Sequence, residues 1–176
     1  MSQVTAPDYN DYIDRIHLIL FKSTTLLPKT NGVAGSVDLV KQLIKYELPI
    51  PEQPIQGLGP SHIYIAVSKT PVVGTKTIGR GNRNTVARRI YTLEFYAVIV
   101  VKGVDPLAAQ KELYTIASVV ETIFEKNKRL TDPTTGLLPI SAKLETFMVP
   151  FLLLTDQKDI KAVNVVIRPQ VYVNLI

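Results

Sequence analysis

A long alternating strand that turns straight into a long amphipathic helix, over residues 88–130, limits what this chain can fold into more than any other stretch. Within 88–101, Tyr91, Leu93, Phe95, Ala97, Ile99 and Val101 fall on one face. Ile90, Thr92, Glu94, Tyr96, Val98 and Val100 fall on the other, which is the period of a strand. The first face is wholly apolar and the second becomes so towards its end. After a turn at Lys102-Gly103-Val104, Asp105 stands as N-cap and Pro106 at the first helical position, where a missing N–H costs nothing. Leu113, Ile116, Ala117, Val120, Ile123, Phe124 and Leu130 keep the helical period to about Leu130. Lys126, Lys128 and Arg129 sit at the end where the macrodipole favours cations. A helix of that length needs a sheet to lie on, and the strands before and after it are the candidates.

At 176 residues, 46% of them hydrophobic, the chain suits one domain, 1–176, with a sizeable core. No apolar run approaches the roughly 18 residues of a membrane span, and Met1 to Asn10 lacks a signal pattern, so a soluble protein with no membrane partner is expected. The absence of cysteine excludes disulfides, thiolate nucleophiles and Cys-based metal sites. The net charge of +5 is local: Lys69, Lys76, Arg80, Arg83, Arg88 and Arg89 follow one another with no acidic residue between them. Without those six, 14 basic residues face 15 acidic ones.

Taken in order, Thr5-Ala6-Pro7-Asp8 has the form of a capping box. Tyr9, Tyr12, Ile13, Ile16, Ile19, Leu20 and Leu27 then predict a first helix over 7–27. Residues 28–60 form a crossover holding five of the twelve prolines and four of the nine glycines. Within it Ser36, as cap, and Val37, Val40, Leu43 and Ile44 suggest a short helix over 36–47, and the prolines at 49, 51 and 54 force extended backbone. So long a connection either contacts something else or packs on its own domain. Residues 61–68 read as a strand paired with 88–101, which leaves 69–87 as a basic hairpin loop. A turn cluster at 131–136 leads to a strand over 142–154, apolar on both faces near its end and therefore central or at a subunit contact. The last strand, 160–175, points Val163, Val165, Ile167, Val171 and Val173 inward and Ala162, Asn164, Arg168, Gln170, Tyr172 and Asn174 outward. Pro169 in it argues for an edge or a bulge. The element order is helix, hairpin, helix, hairpin: an α+β fold, two long helices on a mostly antiparallel sheet.

Little in the chain points to catalysis. Gly74-Thr75-Lys76-Thr77-Ile78-Gly79-Arg80-Gly81 has two glycines at phosphate-loop spacing, but Arg80 and Gly81 replace the lysine and hydroxyl, and two strands flank it where a strand and a helix are required. His17 and His62 have no metal-ligand spacing around them. Glu94 and Glu145 are a conceivable carboxylate pair, yet no nucleophile or oxyanion hole accompanies them. The expectation is a protein that is not an enzyme and has no cofactor. The basic loop fits contact with phosphates or with an acidic protein surface, or is simply solvated. Between Lys69 and Arg89 there is no aromatic ring on which a base could stack.

The stretch Tyr91-Thr92-Leu93-Glu94-Phe95-Tyr96-Ala97-Val98-Ile99-Val100, the Asp-Pro-started helix closing in Asn127-Lys128-Arg129-Leu130, and the final hairpin carry a resemblance. Together with the first helix, the prolyl crossover and the long loop, they resemble, as an element order, the tail terminator and head-tail completion proteins of long-tailed viruses. The resemblance implies a structural virion protein, assembled in the host cytoplasm. It would form a homo-oligomeric ring, usually a hexamer, on the last ring of the tail tube, stop its polymerisation and meet the head connector. Its partners would be the tail tube protein, the connector or stopper protein, and DNA passing through the lumen. In that setting Lys69, Lys76, Arg80, Arg83, Arg88 and Arg89 become candidate contacts to the lumen, the tube or DNA. A head-side stopper, a tube subunit and a basic nucleic-acid-binding module are the alternatives.

Overall fold

A computed structural model describes residues 8–46, 61–78, 87–130, 143–150 and 159–175. Helix α1, Tyr9–Phe21, is followed by strand β1, Gln42–Lys45, then by β2, Ser61–Ile78, and β3, Ala87–Lys102. Helix α2, Pro106–Lys126, comes next, then β4, Lys143–Pro150, and β5, Ile160–Leu175. The five strands make one mixed sheet in the order β1-β2-β3-β5-β4, with β1 parallel to β2 and every other pair antiparallel. The fold is α+β, as expected, but the order is helix, strand, hairpin, helix, hairpin, because the crossover contributes a parallel strand.

The local reasons are readable in the bonding. Asp8 caps α1 by accepting from the Asn10 N–H at 2.9 Å. The helix stops at Phe21 instead of Leu27. There the Asn31 side-chain amide donates to the Phe21 carbonyl at 2.9 Å and the Leu27 carbonyl at 2.8 Å, taking up acceptors left open where the helix ends. The Ser23 hydroxyl accepts from the Leu26 N–H at 3.2 Å, the local competition that serine offers a helix. Leu26 and Leu27 remain buried even so. The short helix expected over 36–47 is absent. Lys41 N–H donates to the Ser61 carbonyl at 3.0 Å and Tyr46 N–H to the Ile65 carbonyl at 2.7 Å, so this segment is consumed by pairing with β2. Helix α2 keeps its expected start, with the Asp105 carboxylate accepting from the Leu107 N–H at 2.9 Å, and closes at Lys126 with Asn127 as C-cap.

Both helices pack on one face of the sheet. Tyr12, Ile16 and Leu20 of α1 and Leu113, Ile116, Val120 and Phe124 of α2 share a core with Ile63, Ile65, Leu93, Phe95, Ile99, Val165 and Ile167. Tyr12 stacks on Phe95 with ring centroids 5.5 Å apart. The inward set expected for β5 holds at Val163, Val165, Ile167 and Val171. On the other face Tyr64, Val98, Val100 and Ile160 form a second buried cluster. His62 and Asn164 are buried on that face as well, so Asn164 does not point into solvent as expected. Two further outcomes concern position. Among the described residues β4 is an edge strand bonded to β5 alone, so of its two expected places the central one is overturned, and β3 holds the centre. The apolar residues 151–154 that suggested a central place lie outside the described residues. Pro169 sits in β5, an interior strand, opposite Leu144 of β4. Its cost falls on the other side, where the β3–β5 pairing is interrupted between Phe95↔Ile167 and Thr92↔Gln170.

Candidate partner-binding surface

The basic segment is not a loop for most of its length. Strand β2 continues to Ile78, opposite Arg88, so the unpaired connection shortens to residues 79–86. The sequence reads as a loop because Lys69, Pro71 and Gly74 punctuate it. The remaining residues, Val72, Val73, Thr75, Thr77 and Ile78, are good strand formers once a partner strand is present.

Between the helix-covered sheet and this distal part runs a joint. Val67 pairs with Phe95, the next pair is Val72 with Leu93, and then Gly74 with Thr92. Residues 68–71 of β2 therefore face the single residue Glu94, a large bulge that bends the strand. On the far side of β3 the ladder is interrupted at the same level, next to Pro169. A side-chain network spans both gaps. Arg168 donates to one Glu94 oxygen through Nε at 2.7 Å, with Nη2 in ion-pair contact with the same oxygen at 2.6 Å, and the Tyr96 hydroxyl donates to the other at 2.9 Å. The Ser68 hydroxyl lies 3.1 Å from that of Tyr96 and also accepts from the Thr70 N–H at 3.3 Å, which ties the bulge in. The Arg168 guanidinium sits over the Phe147 ring at 4.7 Å. Burial acts to raise the Glu94 carboxyl, but the hydrogen bonds from Arg168 and Tyr96 and the arginine charge outweigh it and hold it below the usual range. Sequence reading missed this network. Its one visible signal is that Glu94 is the sole charged residue between Ile90 and Val101, a carboxylate that has to find a cation.

Beyond the joint, residues 72–78 of β2, 87–92 of β3 and 170–175 of β5 form a three-stranded extension. Val72, Tyr91 and Val171 still touch the core, and past them Thr75, Lys76, Thr77 and Ile78 are exposed. Lys76 stands opposite Ile90, Thr77 opposite Arg89, and Ile78 opposite Arg88. The six candidate contacts therefore do not form one cluster. Lys76, Arg88 and Arg89 lie on strands at the end of the extension, but the register puts Lys76 and Arg89 on opposite faces. Lys69 lies at the bulge, on the order of 20 Å back along the strand, and Arg80 and Arg83 lie outside the described residues. Among the described residues the five ion pairs use Lys45, Lys102, Lys128, Lys143 and Arg168, and none uses Lys69, Lys76 or Arg89. Among the described residues the outer edge of β2 is also open beyond residue 65, because β1 pairs with residues 62–65.

The other candidates separate. Glu145 is exposed and paired with Lys143 at 2.6 Å, a hydrogen bond that lowers its carboxyl, so it does not share a proton with Glu94. His17 stacks on Phe21 at 5.9 Å and lines a groove of ≈ 450 Å³ between α1 and β1, with burial lowering its pKa. Residues 74–78 of the phosphate-loop-like stretch are strand. Among the described residues no group of three or more His, Asp or Glu is placed to hold a metal, and no helix is long and apolar enough to cross a membrane.

No protein-family model matches the chain, and no curated protein matches it. It is similar to a chain in a solved structure of the virion of a native gene transfer agent particle. That similarity has 11% identity, 91% of this chain and 92% of that one covered, and a TM-score of 0.37.

Proposed function

We propose that this is a structural virion protein that forms a ring, hexameric in its assembled state, on the end of a tail tube. It stops tube polymerisation and joins the tail to the head connector. No catalysis is involved, and the partners are further copies of this chain, the tail tube protein and the connector or stopper, with DNA crossing the lumen.

The observation that carries the reading is a sheet that, among the described residues, has two open and unlike borders. One is the bare edge of β2 beyond residue 65, the other is β4. They run in opposite directions, since β2, β3, β5 and β4 alternate. Joining unlike borders of successive copies is a head-to-tail contact, which closes into a ring when the rotation allows. It would also continue the antiparallel alternation. The element-order resemblance to tail terminators points the same way. The basic extension then faces the lumen or the rim of the tube.

Replacing Lys76, Arg80 and Arg83 together with serine should leave the fold intact and impair the joining of heads to tails. A normal yield of infectious particles from that variant would sink the reading.

A further inference from the structure

We infer that strand β4 of one copy of this chain docks antiparallel on the outer edge of β1 of a second copy, with Met148 filling the groove between α1 and β1. The inference rests on the reading of the unlike borders of the sheet as a head-to-tail contact. It names the seat on the first border: the part where β1 covers β2, next to the bare edge beyond residue 65.

Three observations converge. Among the described residues β1 is bonded to β2 alone and β4 to β5 alone, so each has an open edge. β1 runs with β2 and β4 runs against it, so a copy that adds its β4 beyond β1, helices on the same side, pairs antiparallel. The apolar residues of the two edges then match in one register. Leu43 and Met148 lie on the helix side of the sheet, Ile44 and Phe147 on the reverse. Setting Leu43 opposite Met148 also sets Ile44 opposite Phe147, whereas a slip of two residues opposes Leu43 to Thr146 or to Pro150. Finally, Met148 is a large apolar side chain 40% exposed on an edge strand. The helix side of β1 has room for it in the groove of ≈ 450 Å³, walled by Phe21, Leu27 and Leu43. An unbranched thioether fits an irregular gap of that kind.

The same features disfavour other occupants. A nucleic acid would meet one lysine, Lys41, among the residues lining the groove. Pairing two β4 edges with each other would make a closed dimer and leave the groove unfilled. Strand addition at a sheet edge draws affinity from main-chain hydrogen bonds and register from a pocket for a side chain. The edge of β1 and the groove beside it supply both.

The test is cross-linking of the full chain. The sequence has no cysteine, so introduced thiols are the only ones. The register places Gln42 opposite Val149. Q42C and V149C copies, mixed and mildly oxidised across a concentration series, should form disulfide-linked dimers that neither variant forms alone. Within one chain the two positions stand on opposite borders of the sheet, on the order of 20 Å apart, so the bond reports a contact between copies. K76C mixed with V149C, which probes the bare part of β2 instead, should stay unlinked. M148E should weaken association about tenfold or more and M148L should not, as expected of an apolar anchor. Circular dichroism melts check that each variant folds, and in the unsubstituted chain amide exchange should slow at 42–45 and 146–149 on association. Absence of the Q42C–V149C dimer at every concentration, linkage of K76C to V149C in its place, equal linkage in one variant alone, or association indifferent to M148E would each overturn the inference. Rings without the Q42C–V149C bond would remove this seat and leave the proposed ring, whereas the bond with no ring at any concentration would support the seat and count against the ring.

Discussion

The sheet body and its distal extension use the same three strands and differ in what covers them. In the body, Leu93, Phe95, Ala97 and Ile99 of β3 are sealed under two helices, and Val98 and Val100 are buried on the reverse face. Past the joint the ladder continues, yet Thr75, Lys76, Thr77 and Ile78 keep their side chains in solvent. The body derives its stability from apolar burial, the dominant favourable term in folding. The extension is held by pairing to that body, which leaves the side chains of Thr75, Lys76, Thr77 and Ile78 free for a partner. Substitutions should sort by region, costing stability in the body and binding in the extension.

The sharpest contrast comes from Phe95→Ala in the body. Removing a fully buried ring that stacks on Tyr12 should cost about 3–5 kcal/mol in chemical denaturation, whereas Ile78→Ser at the far end of β2 should stay within about 0.5 kcal/mol of the parent. Equal losses at the two positions would erase the distinction. The joint is next. Glu94→Ala leaves Arg168 and the Tyr96 hydroxyl without their shared acceptor and should cost about 2–3 kcal/mol. Protection of backbone amides in the extension should fall more than in the body, which hydrogen exchange would read directly.

The same carboxylate gives a pH test. Glu94 is held below its ordinary value in the folded protein, so its contribution is complete above the unfolded pKa of about 4.3 and fades as pH falls through the lower folded value. The parent should therefore lose more stability between neutral pH and the acid limb than Glu94→Gln does. Parallel curves would contradict the network. A smaller effect is expected at the N-cap of α2, where Asp105→Ala should lower stability by about 1 kcal/mol. Smallest of all, breaking the exposed Lys45–Asp14 pair, which joins β1 to α1 at 2.7 Å, should cost no more than about 1 kcal/mol.

Much of the body was legible in the sequence because its signals are local. The alternation of β3, the Asp105-Pro106 start of α2 and the inward valines of β5 each depend on neighbours a few residues away. What was missed depends on distant partners. Val37, Val40, Leu43 and Ile44 satisfy a helical period as well as a short strand, and pairing with β2 decides between them. The end of α1 is set by Asn31, ten residues beyond Phe21. Lys69, Pro71 and Gly74 look like loop punctuation until β3 supplies a ladder on the other side and the bulge absorbs the first two. Glu94 announced a need for a cation, but Arg168 lies 74 residues away. The candidate surface was legible as charge and illegible as shape. The run of unopposed basic residues is plain in the sequence, while the strand that divides it between bulge and tip is not.

A ring requires the open borders of the sheet to join copy to copy. Negative-stain imaging of the purified protein across a concentration series, with mass measured in parallel and tail tubes added as template, tests this most directly. Six-fold rings with an open centre, alone or seated on tube ends, are the predicted result. A monomer at every concentration, with no density added to the tubes, would contradict it.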